Sequence, residues 1–435
     1  MKLFEHQIKA LKLSEGMNHV AYYHDMGLGK TYTGAEKLVQ LGAKVNLIVC
    51  QKSKVEDWCK HFEDNYSVVT LTYDLTNPKQ FNQFINVNKH VPFQIVGIIN
   101  YELIWRRKDL LQLKDFTLLL DESSLIQNDT SKRTKFILKL QPKNVILLSG
   151  TPTGGKYETL WTQMHLLGWN ISKNLYWKQY VQEEWKEDSD GNKYSIITGY
   201  KNVDRLKRKM AEHGCQFLKT DEVFDLPDQI FQQVKIPASN FYKTFHKKSI
   251  VSLPTEKSWE DKILVGDTTI TKMLYERMLC GSYSQDKLKA LSDLVESTED
   301  RLIIFYNFTE EFNNIVKMDG NEWNRPLSVV NGFEKNLTAY EECDNSITLI
   351  QYQSGSMGLN LQKASRMIFF TLPLSSELYE QAKKRIHRIG QNKPCFYYQL
   401  ICKGTVEEKI LKTLDMRQDF TEELFRKEEG YEEGN

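Results

Sequence analysis

The stretch His24-Asp25-Met26-Gly27-Leu28-Gly29-Lys30-Thr31 decides how this chain reads. Apolar, β-prone residues 20–23 run into it and residues 31–41 follow with helical periodicity, so the turn lies between a strand and a helix N-terminus. A P-loop requires that context. Glycines let backbone N–H groups approach phosphates with no Cβ in the way, and the helix end adds partial positive charge. In such a loop Lys30 reaches the β- and γ-phosphates and the Thr31 hydroxyl holds Mg²⁺. One departure stands out, because the strict pattern G-x-x-x-x-G-K-[ST] wants glycine where this chain has His24.

Composition narrows the class. With 435 residues, 40% hydrophobic and 11% aromatic, the chain has room for two or three packed domains. Its formal net charge is +1, so a polyanion would have to be held by a local basic track. The seven cysteines are scattered and form no C-x-x-C pair, which argues against a disulfide framework or a zinc site and for a reducing compartment. The N-terminus lacks an apolar leader and no run approaches eighteen apolar residues. The expectation is a soluble, cytoplasmic protein with no membrane partner.

From residue 20 to 150, strands expected at 20–23, 45–50, 67–71, 94–99, 116–120 and 145–148 alternate with helices. Such alternation implies a parallel sheet covered on both faces, with ligands at the carboxyl ends of the strands. Two strands end in chemistry. One delivers Asp121-Glu122, where a carboxylate can bind Mg²⁺ and its neighbour can polarise the attacking water. The other delivers Ser149-Gly150-Thr151-Pro152. An acidic pair at a strand end is also ordinary surface chemistry; the P-loop upstream favours the functional reading.

Between about 155 and 285, tryptophans and tyrosines are interleaved with lysines, a pattern that suits packed helical insertions better than a stacking surface. Asp190-Gly191 marks a tight turn in a small hairpin. From 286 the alternation returns, with helices at 286–295 and 309–316 and strands at 302–305, 327–330, 347–350, 367–370 and 394–401. Thr405-Val406-Glu407-Glu408 has the capping-box pattern for a last helix, and the glutamate-rich end reads as a solvated tail. A helix over 375–390 would carry Gln381, Arg385 and Arg388 at i, i+4 and i+7 on one face. Arginines so placed can neutralise charge on a transferred phosphoryl group, although the same run suits an exposed basic face.

Taken in order, these stretches resemble the Swi/Snf-like branch of helicase superfamily two, over nearly the whole chain. Met26-Gly27-Leu28-Gly29-Lys30-Thr31 is similar to its first motif, in which the early glycine is commonly absent. Val49-Cys50-Gln51-Lys52-Ser53 with Trp58, Asn100-Tyr101-Glu102, Asp121-Glu122-Ser123-Ser124 and Ser149-Gly150-Thr151-Pro152 resemble the motifs that come next. Leu218-Lys219-Thr220-Asp221 with Leu226-Pro227 is similar to the segment linking the two motor lobes. The residues from Ser354 to Leu361, and from Gln381 to Gln391 followed by Gly404-Thr405-Val406-Glu407-Glu408, resemble the closing motifs.

The resemblance implies an α/β fold of two RecA-like parallel-sheet lobes with helical insertions. Lobe 1 would span 1–165, the insertion and inter-lobe linker 166–284, lobe 2 285–415 and an acidic tail 416–435. It implies ATP and Mg²⁺ as cofactors, held by Gln7 at the adenine, by Gly27, Gly29, Lys30 and Thr31 at the phosphates, and by Gly358 and Asn360. Thr31 and Asp121 would hold the metal. Glu122 would be the base, Arg388 the finger and Arg385 its partner, although the sequence alone does not rank the two arginines. Lys52, Ser53, Lys54 and Lys132 are the candidate contacts to double-stranded DNA, made mainly to phosphates.

The function implied by the resemblance is ATP-dependent translocation on duplex DNA that remodels or displaces bound complexes, by a monomer aimed by a protein partner. Its compactness suits a bacterial cell or a virus-infected host. Two alternatives stand beside it: a strand-separating helicase, with Asp190-Gly191 as a wedge candidate, and an ATP-gated DNA-binding scaffold. The chain departs from the family at Ser123-Ser124, where a small residue and histidine are usual, and at Leu374-Ser375-Ser376, where Trp-Asn-Pro is usual.

Overall fold

The computed structural model describes residues 2–87, 92–187, 191, 193–254, 261–355 and 359–425. The chain divides into two compact units, Met1–Val223 with Asp419–Asn435, and Phe224–Gln418.

The first unit contains β1 (His19–His24), β2 (Val45–Cys50), β3 (Thr70–Asp74), β4 (Gln94–Asn100), β5 (Thr117–Asp121), β6 (Asn144–Leu148), the hairpin β7 (Val181–Glu187) and β8 (Lys193–Tyr200), and β9 (Cys215–Leu218). Seven of these make one sheet in the order β3-β4-β2-β5-β6-β1-β9, every pair parallel. Alternate residues of each strand enter different cores. Ala21, Tyr23, Leu47, Val49, Leu118 and Leu120 pack on one face, and Val20, Tyr22, Ile48, Cys50 and Leu119 on the other. Both faces are therefore dry, which is why the strands read as continuous apolar runs and not as alternating ones. Helices α1 (Glu5–Leu13), α2 (Lys30–Leu41) and α3 (Val55–Tyr66) precede β1, follow it and follow β2.

Two expectations shift here. The strand expected at 67–71 starts instead at Thr70, because Ser67 caps α3 and the Tyr66 carbonyl holds the Val69 N–H at 2.9 Å and the Thr70 hydroxyl at 3.0 Å. Local turn bonds override the β-branched pair Val68-Val69. Residues 166–284, expected as insertion and linker, divide between the two units, since β9 is the outer strand beside β1. Of the tight turn at Asp190-Gly191, Asp190 lies outside the described residues, while Gly191 has a φ of +83°. Tyr176 and Tyr180 are buried in the core, whereas Trp185 on the hairpin is 65% exposed.

The second unit holds β10 (Gln229–Ile236), the hairpin β11 (Ile250–Leu253) and β12 (Lys262–Val265), β13 (Leu302–Tyr306), β14 (Leu327–Val330), β15 (Lys335–Asn336), β16 (Ile347–Gln351), β17 (Arg366–Phe369) and β18 (Cys395–Cys402). Its sheet runs β10-β18-β17-β13-β16-β14-β15, parallel except for the β14–β15 pair. Again alternate residues split between two cores, Leu302, Ile304 and Leu349 against Ile303, Phe305 and Ile350. Two RecA-like parallel sheets are thus present, each with its own core. Beside the second sheet the buried Lys287 ammonium meets both oxygens of Glu407 at 2.6 and 2.8 Å. Glu407 lies within the Thr405-Val406-Glu407-Glu408 stretch, where the Thr405 hydroxyl oxygen accepts from the Glu407 N–H at 3.2 Å. The helix Val406–Phe425 continues well into the expected tail, and Phe420 packs on Tyr157 and Tyr200. Among the described residues no helix is long and apolar enough to cross a membrane.

Candidate nucleotide site

In the first sheet β6 lies between β5 and β1, so the turns after these three strands emerge side by side. They carry Asp121-Glu122, the residues 149–152 and the P-loop. Gly27 and Gly29 have φ of +90° and +69°, a region that disfavours any Cβ. A Cβ on Gly27 would meet nothing within 4 Å, so there it is the backbone conformation and not crowding that favours glycine. Helix α2 begins at Lys30 with no side-chain cap, and the Tyr32 and Thr33 N–H groups turn back to the Gly29 carbonyl at 3.0 and 3.3 Å; an uncapped helix N-terminus is a setting that favours an anion. Lys30 Nζ rests on the carbonyls of His24 at 2.9 Å and Asp25 at 3.2 Å. A Cβ on Gly150 would stand 3.3 Å from the same ammonium, so the Ser-Gly-Thr-Pro turn abuts the P-loop lysine.

His24, which replaces the strict pattern's glycine, turns its ring inward and is 1% exposed. Burial first, and the Lys30 cation second, push its imidazole down to about 3, so it is neutral at physiological pH. Its carbonyl accepts from Lys30 at 2.9 Å, a backbone contact that does not require glycine at 24.

Gln7 reaches the loop from α1. Its Oε1 accepts from the Phe4 N–H at 2.9 Å and its Nε2 donates to the Leu28 and Gly29 carbonyls, each at 3.2 Å. A Cβ on Gly29 would lie 2.3 Å from that Nε2, a second reason for glycine at 29. Gln7 is thus brought to the P-loop, with both ends of its amide engaged by backbone. Thr220, just past β9, ties to the same loop through Asp25 Oδ2, its N–H and hydroxyl both at 3.3 Å.

Burial raises the carboxyl pKa of Asp121, against the pull of the Trp58 indole N–H at 2.8 Å and of the Lys30 and Lys54 cations. A carboxylate so desolvated gains from a divalent cation. With the Thr31 hydroxyl in the first turn of α2, Asp121 offers the hard oxygen donors that Mg²⁺ takes. Glu122 adopts a left-handed conformation, φ 58° and ψ 61°. The Tyr101 hydroxyl, fully buried, donates to the Asp121 carbonyl at 3.0 Å and the Glu122 carbonyl at 3.3 Å, bracing that turn. Ser149 Oγ donates to Glu122 Oε2 at 3.5 Å.

In the second unit the helix expected over 375–390 ends early, spanning Ser376–Lys383. Gln381, Arg385 and Arg388 therefore do not share a helix face. Tertiary bonds outcompete the helix: the Arg385 carbonyl accepts from the Leu361 N–H at 3.1 Å, and His387 Nε2 meets the Pro227 carbonyl at 2.9 Å. Gln391 Nε2 spans the carbonyls of Gln362, Ala364 and Ile386. The same knot joins Arg388 to Asn360, its Nη1 donating to Asn360 Oδ1 and to the Leu359 carbonyl. Arg385 is buried. Gly358 lies outside the described residues.

A family model described as the SNF2-related domain matches residues 11–284, and one described as the helicase conserved C-terminal domain matches residues 286–390. The chain belongs to the SNF2-related family. Among its relatives, an ATP-dependent helicase of Bacillus subtilis is 24% identical, over 94% of this chain and 77% of its own length. The chromatin structure-remodeling complex subunit snf21 of Schizosaccharomyces pombe is 23% identical over 96% of this chain and 39% of its own length. The chain spans half or less of the length of several such relatives. The solved SWI2/SNF2 ATPase core of Sulfolobus solfataricus in complex with dsDNA is similar over 97% of this chain and 92% of that one, at 19% identity and a TM-score of 0.45.

The remaining candidates of this SNF2-related chain lie on the first unit. Lys52 and Ser53 are exposed in a short turn after β2, while Lys54 pairs with Asp57 at 2.7 Å. Lys132 opens the helix Lys132–Ile137, its ammonium 4.9 Å from the Trp105 ring centroid. Sequence reading did not find the bracing role of Tyr101, nor the bond from Trp58 to Asp121. Both residues stand in recognisable motifs, but nothing local to either says which carbonyl or carboxylate it reaches.

Proposed function

We propose that the chain is a DNA-stimulated ATPase that translocates along duplex DNA and displaces what is bound there. The observation that carries this reading is the juxtaposition of Lys30, Asp121-Glu122 and residues 149–152 at adjacent strand ends, in a chain matched by SNF2-related and helicase C-terminal models. In this reading the cradle at Gly27 and Gly29 with Lys30 takes the phosphates of ATP, and Asp121 and Thr31 hold Mg²⁺. Bound Mg²⁺ supplies neutralisation of phosphate charge. Glu122 orients and deprotonates the attacking water, held in place by the braced turn. Gln7, Gly358 and Asn360 are assigned to nucleotide binding, and Arg385 and Arg388 to the charge on the transferred phosphoryl group. Lys52, Ser53, Lys54 and Lys132 grip DNA phosphates without reading bases, as a motor indifferent to sequence requires.

Strand separation is the second reading, because the β7–β8 hairpin presents Trp185, 65% exposed, and Tyr194, 46% exposed. The same ribbon carries Glu183, Glu184 and Glu187 against Lys186 and Lys193, so it offers no net positive charge to hold a displaced strand, and duplex translocation is favoured. The test is ATP turnover with and without duplex DNA, for the wild type and Glu122→Gln. The proposal expects stimulation in the former and none in the latter. A wild type indifferent to DNA sinks it, and unwinding of a forked duplex would favour the second reading.

A further inference from the structure

Gln163 belongs to none of the sequence motifs that resemble the family's. It sits on the helix Trp161–Leu166, wholly buried, and its amide joins three segments. Its Oε1 accepts from the Ser123 hydroxyl at 2.7 Å and the Tyr23 hydroxyl at 3.0 Å, and its Nε2 donates to the Pro152 carbonyl at 2.8 Å. The orientation follows from chemistry, since a carbonyl only accepts and must face the nitrogen. Ser123 directly follows Glu122, Pro152 closes the Ser-Gly-Thr-Pro turn, and Tyr23 precedes His24 at the mouth of the P-loop. Gln127 donates to the same Pro152 carbonyl at 3.2 Å. The left-handed backbone at Glu122 is thus anchored by Tyr101 on its own carbonyls and by Ser123 and Gln163 just beyond it.

We propose that Gln163 is a positioning residue for ATP hydrolysis, holding the Asp-Glu turn and the Ser-Gly-Thr-Pro turn in register so that Glu122 stays aimed at the water. This rests on the proposed ATPase function. It also accounts for Ser123, which departs from the family pattern: the polar link between the two turns runs through Ser123 and Gln163.

The test compares wild type, Gln163→Leu, Ser123→Ala, the double variant and Gln163→Glu, in steady-state ATP turnover at saturating duplex DNA, with thermal unfolding as a check on folding. Gln163→Leu lowers kcat about tenfold or more while KM for ATP changes less than about threefold, as loss of an interaction expressed in the transition state does. Adding Ser123→Ala to Gln163→Leu costs little more, because both remove one link. Gln163→Glu keeps the volume and both acceptor roles. Its carboxyl repels the Pro152 carbonyl when ionised and donates to it when protonated, and burial raises the pKa of such a group. Its kcat relative to wild type therefore holds or climbs, and does not fall, as pH is lowered.

Turnover by folded Gln163→Leu within twofold of wild type, fully additive losses, or a Gln163→Glu ratio that falls as pH is lowered would each overturn the assignment. If the wild type shows no DNA-stimulated hydrolysis, the functional reading fails and this assignment falls with it. If the wild type is stimulated and a folded variant gives any of those three results, only the assignment fails.

Discussion

Replacing Glu122 by glycine and by alanine separates chemistry from backbone strain at the residue assigned to activate water. Both substitutions remove the carboxylate, and both abolish turnover in the proposed mechanism. They differ in what they ask of the backbone, which sits at φ 58° and ψ 61°. A residue with a Cβ costs roughly 1–2 kcal/mol in that region, and glycine costs almost nothing there. At an ordinary position glycine is less stable than alanine by about 0.5–1 kcal/mol, because the unfolded chain gains freedom. Here the left-handed term outweighs that loss, so Glu122→Gly is expected to be more stable than Glu122→Ala by about 0.5–1 kcal/mol. For a unit of this size the difference is a Tm gap of about 1–4 °C, within reach of calorimetry or of denaturant titration. Glu122→Gln, which keeps the Cβ, should unfold near the alanine variant. An alanine variant more stable than the glycine one would refute the claim that the turn is strained and braced.

Three further outcomes arise from particular contacts. Trp58→Phe removes the N–H that bonds Asp121 at 2.8 Å, and the Mg²⁺ concentration for half-maximal turnover should rise about tenfold or more, as for lost outer-shell partners of metal ligands; an unchanged Mg²⁺ titration would remove Asp121 from the metal. Glu311 is fully buried, and burial raises its carboxyl from 4.5 to about 7, against N–H bonds from Asn307 and Phe308 and a bond from the Thr371 hydroxyl. The folded state therefore holds this proton more tightly than the unfolded chain, so stability falls as pH rises from about 4.5 through 7, by roughly 3 kcal/mol in all. Glu311→Gln should flatten that decline in unfolding measured from pH 5 to 8, and an equal slope in both proteins would contradict it. Arg388→Ala should leave ATP binding within about threefold while turnover drops by a hundredfold or more, as for arginines that act on the transferred phosphoryl; loss of binding instead would mean its role is misassigned.

Both parallel sheets are legible in the sequence because strands buried on two faces produce apolar runs such as Leu118-Leu119-Leu120, which no surface strand needs. The first-unit site is legible for a related reason: a P-loop, an acidic pair and the Ser-Gly-Thr-Pro turn are local signatures, each attached to the end of such a run. The features that escape reading depend on contacts distant in sequence. The early end of the helix at Lys383 is dictated by bonds from Leu361 and Pro227, and helical periodicity through Arg388 contains no trace of them. The start of β3 departs from expectation because Val68 and Val69 have strand propensity while Tyr66 binds them into a turn. Gln163 shows the same limit, since its partners lie 140, 40 and 11 residues away.

Displacement of a triplex-forming third strand from duplex DNA separates translocation from DNA-stimulated hydrolysis alone, with the wild type and Glu122→Gln assayed side by side. ATP-dependent displacement is expected from the wild type alone, without unwinding of a plain duplex. DNA-stimulated ATP hydrolysis that leaves the third strand in place would contradict translocation.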